Sequence, residues 1–264
     1  MMFKWLSDYM RQRIIVRSTI TESEWADTFQ ALPILSGLTV DERQRLQTLA
    51  ILFMHYKRFE AAQGLVLNRQ MILTISLQAC LPILELGLAC YSGWIAVVVY
   101  PASFVSRRDI TDTSGVVHHQ SSNLSGEAWQ RGPVIINWQE AKNAARIDGH
   151  NLLIHEFAHK LDMQNGEANG FPPLHADMTI DDWVTSFSAG FEHFQHHCDN
   201  DTLYGIDCYA ATSPAEFFAV FSEVFFERPV IIRRHYPSIY AQLRNYYRQD
   251  PLKRLASLSS RLYV

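Results

Sequence analysis

Residues 155–159 read His-Glu-Phe-Ala-His, and the stretch around them can satisfy its apolar residues only as an amphipathic helix. Ile154, Phe157, Ala158 and Leu161 recur at i, i+3, i+4 and i+7, which stacks them on one face at 3.6 residues per turn. A helix is therefore expected over residues 148–164, with Asp148 as N-cap and Asn165-Gly166 as its stop. On such a helix His155 and His159 stand one turn apart, with about 5–6 Å between Cβ atoms, so both imidazoles reach one ion. That spacing suits zinc, which binds histidine nitrogen at about 2.0–2.1 Å. Glu156 projects about 100° further round, beside the pair, where a carboxylate can take a proton from zinc-activated water and return it to a leaving amine. The plainer alternative is two surface histidines and a glutamate, because so short a pattern arises by chance. A well-formed apolar stripe and a second candidate ligand helix downstream favour the metal site.

A catalytic zinc takes three protein ligands and keeps one position open. Asp162 and Gly166 do not continue the motif into H-x-x-G-x-x-H, so the third ligand is sought on another helix. Ser213-Pro214-Ala215-Glu216 opens one, with serine at the N-cap and proline at the first helical position. Glu216 is the leading candidate. Glu223, two turns along the same face, competes with it, and Glu227, before Pro229, is the weakest of the three. Ser213 and Glu216 also fit a capping box, in which the carboxylate would only satisfy a backbone N–H. Tyr209, seven residues before Glu216, is a candidate donor to the oxyanion of a scissile carbonyl, although such a tyrosine taken alone is more often packed. Asp162, three residues after His159, either orients that imidazole or ends the helix at the surface. His193, His196 and His197 offer a second i, i+4 pair, but with no base or third ligand beside it they read as a polar face.

Around these segments the chain reads as α+β: a predominantly helical, zincin-like architecture with a small sheet. Thr21 with Glu24 and Thr39 with Glu42 are capping boxes, and Asn68 caps a helix running to about Cys80. Residues 95–100 and 134–138 are β-branched and aromatic, and hence strand-like. A helical N-terminal region, 1–65, and a catalytic region, 66–264, are expected, able to pack as one unit. Residues 125–129 precede the second strand as a candidate edge for an added peptide strand, and the Gly/Asn/Pro-rich stretch 165–173 as a mobile loop gating the metal. The net charge of −4 lacks the basic excess of a nucleic-acid binder. Cys80, Cys90, Cys198 and Cys208 include no C-x-x-C pair, so reduced thiols and a cytoplasmic location are expected. Charged residues within the first twenty argue against a signal peptide, and Gln78, Pro82, Glu85 and Gly93 break the one candidate membrane stretch, 71–100.

The blocks His-Glu-Phe-Ala-His-Lys-Leu-Asp at 155–162, Tyr-Ala-Ala-Thr-Ser-Pro-Ala-Glu at 209–216 and Phe-Ala-Val-Phe-Ser-Glu at 218–223 resemble the Mlc titration factor A family. Shorter matches at 79–84, 132–134, 149–151 and 170–174 extend the likeness over roughly residues 55–230. The resemblance implies a gluzincin peptidase with a core like the zinc domain of anthrax lethal factor. It implies one zinc held by His155, His159 and Glu216, Glu156 as general base and Tyr209 at the active site. It further implies aminopeptidase activity on small peptide substrates and binding of the glucose-responsive repressor Mlc, which relieves repression of sugar-uptake genes. The competing class is a non-catalytic protein that only sequesters the repressor. Three ligands beside a base lean toward catalysis, because structural zinc sites close all four positions with Cys or His.

Overall fold

Local signals start the helices where the sequence expects them. Thr21 and Thr39 each accept the backbone N–H three residues on, and Glu24 and Glu42 accept the threonine N–H in return, at 2.8 and 2.7 Å. Asn68 accepts from Met71 N–H and opens the next helix. The computed structural model describes residues 2–102, 104–111, 117–124, 126–128, 132–198 and 202–255. Its helices are α1 (Met2–Val16), α2 (Glu22–Ala31), α3 (Val40–Tyr56), α4 (Arg69–Cys80), the single turn α5 (Trp138–Ala141), α6 (Leu152–Asp162), α7 (Ile180–His197), α8 (Pro214–Glu227), α9 (Pro229–His235) and α10 (Pro237–Tyr247). The fold is mostly helical α+β, as read from the sequence.

Four strands form the main sheet: β1 (Arg58–Ala61), β2 (Ala96–Tyr100), and, beyond a hairpin of β3 (Phe104–Thr111) and β4 (Val117–Leu124), β5 (Gly126–Ala128) and β6 (Val134–Asn137). Their order is β1-β2-β6-β5, parallel through the first three and antiparallel at β5, which lies on the edge. Val97 and Val99 register against Val134 and Ile136, and all four are fully buried, so this face of the sheet belongs to the core. Of the stretch 125–129, residues 126–128 are thus an edge strand, and Ser125 and Trp129 lie outside the described residues.

The apolar stripe of α6 is buried as its periodicity requires. Phe157 sits 5.4–6.0 Å, ring centre to ring centre, from Phe53, Tyr91 and Trp94, a cluster that seats the helix on the sheet side of the core. Its other neighbour, α8, is buried on every face from Phe217 to Glu227 and is a core helix.

Four local expectations change. The N-cap of α6 is Asn151, whose side chain accepts from Ile154 N–H; Asp148 accepts from His150 N–H one turn earlier, because Gly149 at φ +97° turns the chain between them. Cys198 and Cys208 form a disulfide instead of free thiols: the strands β7 (Thr202–Leu203) and β8 (Ile206–Asp207) fold back through Tyr204-Gly205 and bring the two cysteines to 5.7 Å between Cα atoms. Stretch 165–173, expected to be a mobile gate, is tied down: Asn169 and Gly170 donate to Asp162 Oδ2, Asn165 donates to the Phe171 carbonyl, and Trp183 donates to the Gly170 carbonyl. Asp162 is consequently neither at the surface nor on His159; it is fully buried and closes this loop. No described helix is long and apolar enough to cross a membrane.

Gly170 is the joint between the end of α6 and the start of α8. It lies at φ +75°, and a Cβ there would come within 2.4 Å of the Pro214 carbonyl oxygen. Gly170→Ala should therefore cost about 1–3 kcal/mol, read as a lower urea midpoint at unchanged m-value. A midpoint equal to wild type would remove this joint from the account.

Candidate metal centre

The histidine pair and one carboxylate meet at a point. His155 Nε2 and His159 Nε2 are 3.1 Å apart, and Glu216 Oε2 lies 3.0 Å from the first and 3.2 Å from the second. Three electron-pair donors at these separations repel unless a proton or a cation lies between them. A tetrahedral ion with bonds of about 2.0–2.1 Å has ligand-to-ligand edges of about 3.3 Å, so the triangle fits zinc in size and in donor type. Among the described residues this is the one group of three or more His, Cys, Asp or Glu side chains so arranged.

The packing of α8 against α6 brings Glu216, and not Glu223, to the two Nε2 atoms. Ser213 caps α8 by accepting from Glu216 N–H at 3.2 Å, but the return bond of a capping box is absent and the Glu216 side chain turns to the histidines. Glu223, the competing candidate, lies behind His155: its Oε1 is 2.8 Å from Nδ1, the nitrogen facing away from Glu216, and its other oxygen accepts from Asn151 N–H. That contact fixes which imidazole nitrogen carries the proton and aims Nε2 at the point of convergence. Glu227 lies one turn on, accepting from Gly149 N–H and from the Asn151 side chain, both at 2.9 Å; the same Asn151 amide also donates to Gln78. Sequence reasoning missed Asn151 and this role of Glu227. Their signals were the Gly-His-Asn turn before the motif helix and the i, i+4 spacing of Glu223 and Glu227.

Glu156 is 3% exposed, and its Oε2 has no hydrogen-bond partner. Burial, opposed by His155 and reinforced by Glu216 and Glu223, pushes its carboxyl up to about 8; a cation at the triangle would draw it down again. Burial disfavours charge on His155, yet hydrogen bonds to Glu216 and Glu223 outweigh it and hold that imidazole well above its ordinary value. Burial likewise opposes charge on Glu216, and bonding to the two histidines overrides it, holding the carboxyl far below the usual range. A pre-ionised acid between two imidazoles is the arrangement a divalent cation would enter.

Glu156, His155 and Tyr209 line one cavity of about 450 Å³, the size for a short peptide. Tyr209 is half exposed, with its ring 6.2 Å from that of His155. Burial, with Glu216 and Glu156 adding, pushes its phenol up to about 12, so it stays a donor at neutral pH. Glu140, Asp148 and Asp207 also line this cavity, an acidic set with Arg146 and His150 among it. The second histidine group stays apart: His193 contacts the Tyr236 hydroxyl, His197 contacts the His193 carbonyl, and their rings stack at 4.3 Å.

The pattern of the family described as glucose-regulated metallo-peptidase M90 matches residues 6–248. The chain is similar to curated proteins named Mlc titration factor A. It is 40% identical to that of Serratia proteamaculans over 243 residues, 91% of this chain and 92% of the relative. It is 41% identical to that of Cronobacter sakazakii over 227 residues, 85% and 86% of the two chains. To that of Salmonella typhi it is 41% identical over 244 residues, 89% and 91%.

Burial pushes Glu227 up to about 8 from 4.5, so the folded chain holds a proton there that the unfolded chain releases. The sign follows: stability is fully present below about 4.5 and is lost as pH rises toward 8, at no more than about 1.4 kcal/mol per pH unit. Glu227→Gln should flatten this loss between pH 5.5 and 7.5 in urea unfolding of metal-free protein. A slope identical to wild type would mean the folded carboxyl is ionised.

Proposed function

The chain belongs to the glucose-regulated metallo-peptidase M90 family, and from that premise we propose that it is a gluzincin aminopeptidase that hydrolyses small peptides at one zinc ion held by His155, His159 and Glu216. The observation that carries this reading is the buried, partnerless Oε2 of Glu156 beside a triangle of donors matched to a tetrahedral ion. Zinc bound there supplies Lewis acidity and an activated nucleophile. Glu156 takes a proton at Oε2 and delivers it to the departing amine nitrogen. Tyr209 lines the same cavity with its phenol against Glu216, from where its O–H would donate to the oxygen of the scissile carbonyl as that oxygen gains charge. Glu223 keeps His155 in one tautomer and one orientation. Backbone groups of the edge strand β5 suit an extended substrate paired to it as an added strand. The acidic set of Glu140, Asp148 and Asp207 favours a substrate with a free amino terminus, which supports the aminopeptidase assignment.

A second role is favoured by the name its relatives carry. We carry that name to this chain as the proposal that it binds an Mlc-type repressor in the cytoplasm and relieves repression of sugar-uptake genes. The two roles are compatible, and the alternative of a purely non-catalytic sequestering protein is separated from them by one variant. Glu156→Gln should retain stoichiometric zinc and lose about 10²–10⁴ in kcat on aminoacyl chromogenic substrates. Equal turnover would reject the general base, and absence of turnover in zinc-loaded wild type would leave sequestration alone.

The ligand assignment has its own measurement. Glu216→Ala should purify without zinc, whereas Glu223→Ala should still bind one zinc with affinity about 10–100-fold weaker, read by competition with a chelator. The reverse ranking would exchange the two residues.

A further inference from the structure

A second cavity lies where α1, residues 18–20, α3 and the start of α4 enclose about 650 Å³, and the chemistry above makes no use of it. Its floor is aliphatic. Ile14, Ile20, Ile51, Met54 and Ile72 all stay partly open to solvent, and Met10 at the edge is 56% exposed. Its rim is basic: Arg13, Arg17 and Arg69 with His55, and no carboxylate among the lining side chains.

Two features set it apart from an ordinary surface depression. Single exposed apolar side chains are common, but six sharing one concavity mark a contact surface. The rim also runs against the chain's average, in which 27 carboxylates outnumber 23 Lys and Arg. Arg13 in the last turn of α1 and Arg17 just past its end stand four residues apart, joined by the Arg17 N–H to the Arg13 carbonyl, a like-charge pairing that the helix end by itself does not favour. Arg69 is engaged by Glu24 at 3.5 Å and by the Thr19 carbonyl, while Arg13 lies over the Tyr9 ring and neither it nor Arg17 has a carboxylate partner among the described residues. The α1 dipole tolerates cations at that end but leaves the open floor beneath them unexplained.

We propose that this groove receives an apolar helix face flanked by carboxylates, presented by the Mlc-type repressor; the inference rests on the titration role proposed above. Concavity selects that occupant. A groove walled by three elements turns its apolar floor inward, as helix-in-groove docking requires, whereas a membrane-surface helix turns its apolar face outward onto a flat bilayer. The apolar floor supplies affinity, and the arginines supply orientation and a salt-dependent association rate.

The test uses the full-length, zinc-loaded chain and full-length Mlc repressor, titrated by calorimetry at two salt concentrations. Arg13→Glu with Arg17→Glu should weaken binding at least about tenfold, and Arg13→Lys with Arg17→Lys should stay within about threefold of wild type. Unchanged far-ultraviolet circular dichroism and an unchanged thermal midpoint identify the loss as local. Met54→Glu, which places a like charge on the floor from α3, should weaken binding comparably and keeps the test independent of α1. If wild type binds the repressor and the Glu pair and Met54→Glu bind it equally well, the groove is refuted while titration stands. If wild type does not bind the repressor, the titration role fails and the groove assignment with it. Loss of binding to phosphatidylglycerol vesicles in the Glu pair, with repressor binding intact, would reassign the groove to a membrane and overturn the proposal.

Discussion

One line of buried polar contacts ties α6 to α8, and the geometry of the centre depends on it. Gly149 and Asn151 donate to Glu227, Asn151 N–H donates to Glu223, and Glu223 meets His155, whose other nitrogen faces Glu216. The links through Gly149 and Asn151 are buried, so removing one partner there leaves an unpaired polar group at a cost of about 1–3 kcal/mol, more where charge is involved. The same line that caps α6 therefore also aims its first histidine. At the far end of the helix, Asp162 and Gly170 close onto Pro214, so α8 is registered against α6 from both sides.

The electrostatics of the region are lopsided in a way that suits a cation. Glu156, Glu216, Glu223 and Glu227 crowd a poorly solvated volume; burial raises Glu156 and Glu227, whereas at Glu216 it is overridden by the bonds to His155 and His159. The nearby positive charges are structural. Lys160 reaches the Gly132 carbonyl at 2.9 Å, Lys57 donates to the Tyr91 and Trp94 carbonyls, and burial lowers both to about 8. Lys160 ties α6 to the start of the segment leading into β6, and Lys57, just past α3, ties that helix to residues 91–94.

Much of this was legible because it is local. Both capping boxes, the Asn68 cap, the serine–proline opening of α8 and the stripe of α6 are short-range patterns in which side chain and backbone answer each other within four residues. The misreadings share the opposite character. Asp148 and Asn151 are both good caps, and only the turn at Gly149 chooses between them. Cys198 and Cys208 have no motif spacing; a two-strand hairpin makes them neighbours. The Gly/Asn/Pro composition of 165–173 speaks for a loop, not for what the loop is tied to, and Asp162 beneath it is invisible from composition.

By itself the sequence determined that a helix would present His155 and His159 on one face with Glu156 beside them, because 3.6 residues per turn leaves no other arrangement for an apolar stripe of that period. Only the tertiary structure decided which acid completes the group. Glu216 and Glu223 share a face of α8 and are equivalent in spacing, but they meet opposite nitrogens of the same imidazole ring. A helix carries both toward its neighbour at once; the depth at which α8 packs on α6 puts one carboxylate at the point of convergence and the other behind the ring, and that depth is set by contacts between segments far apart in the chain.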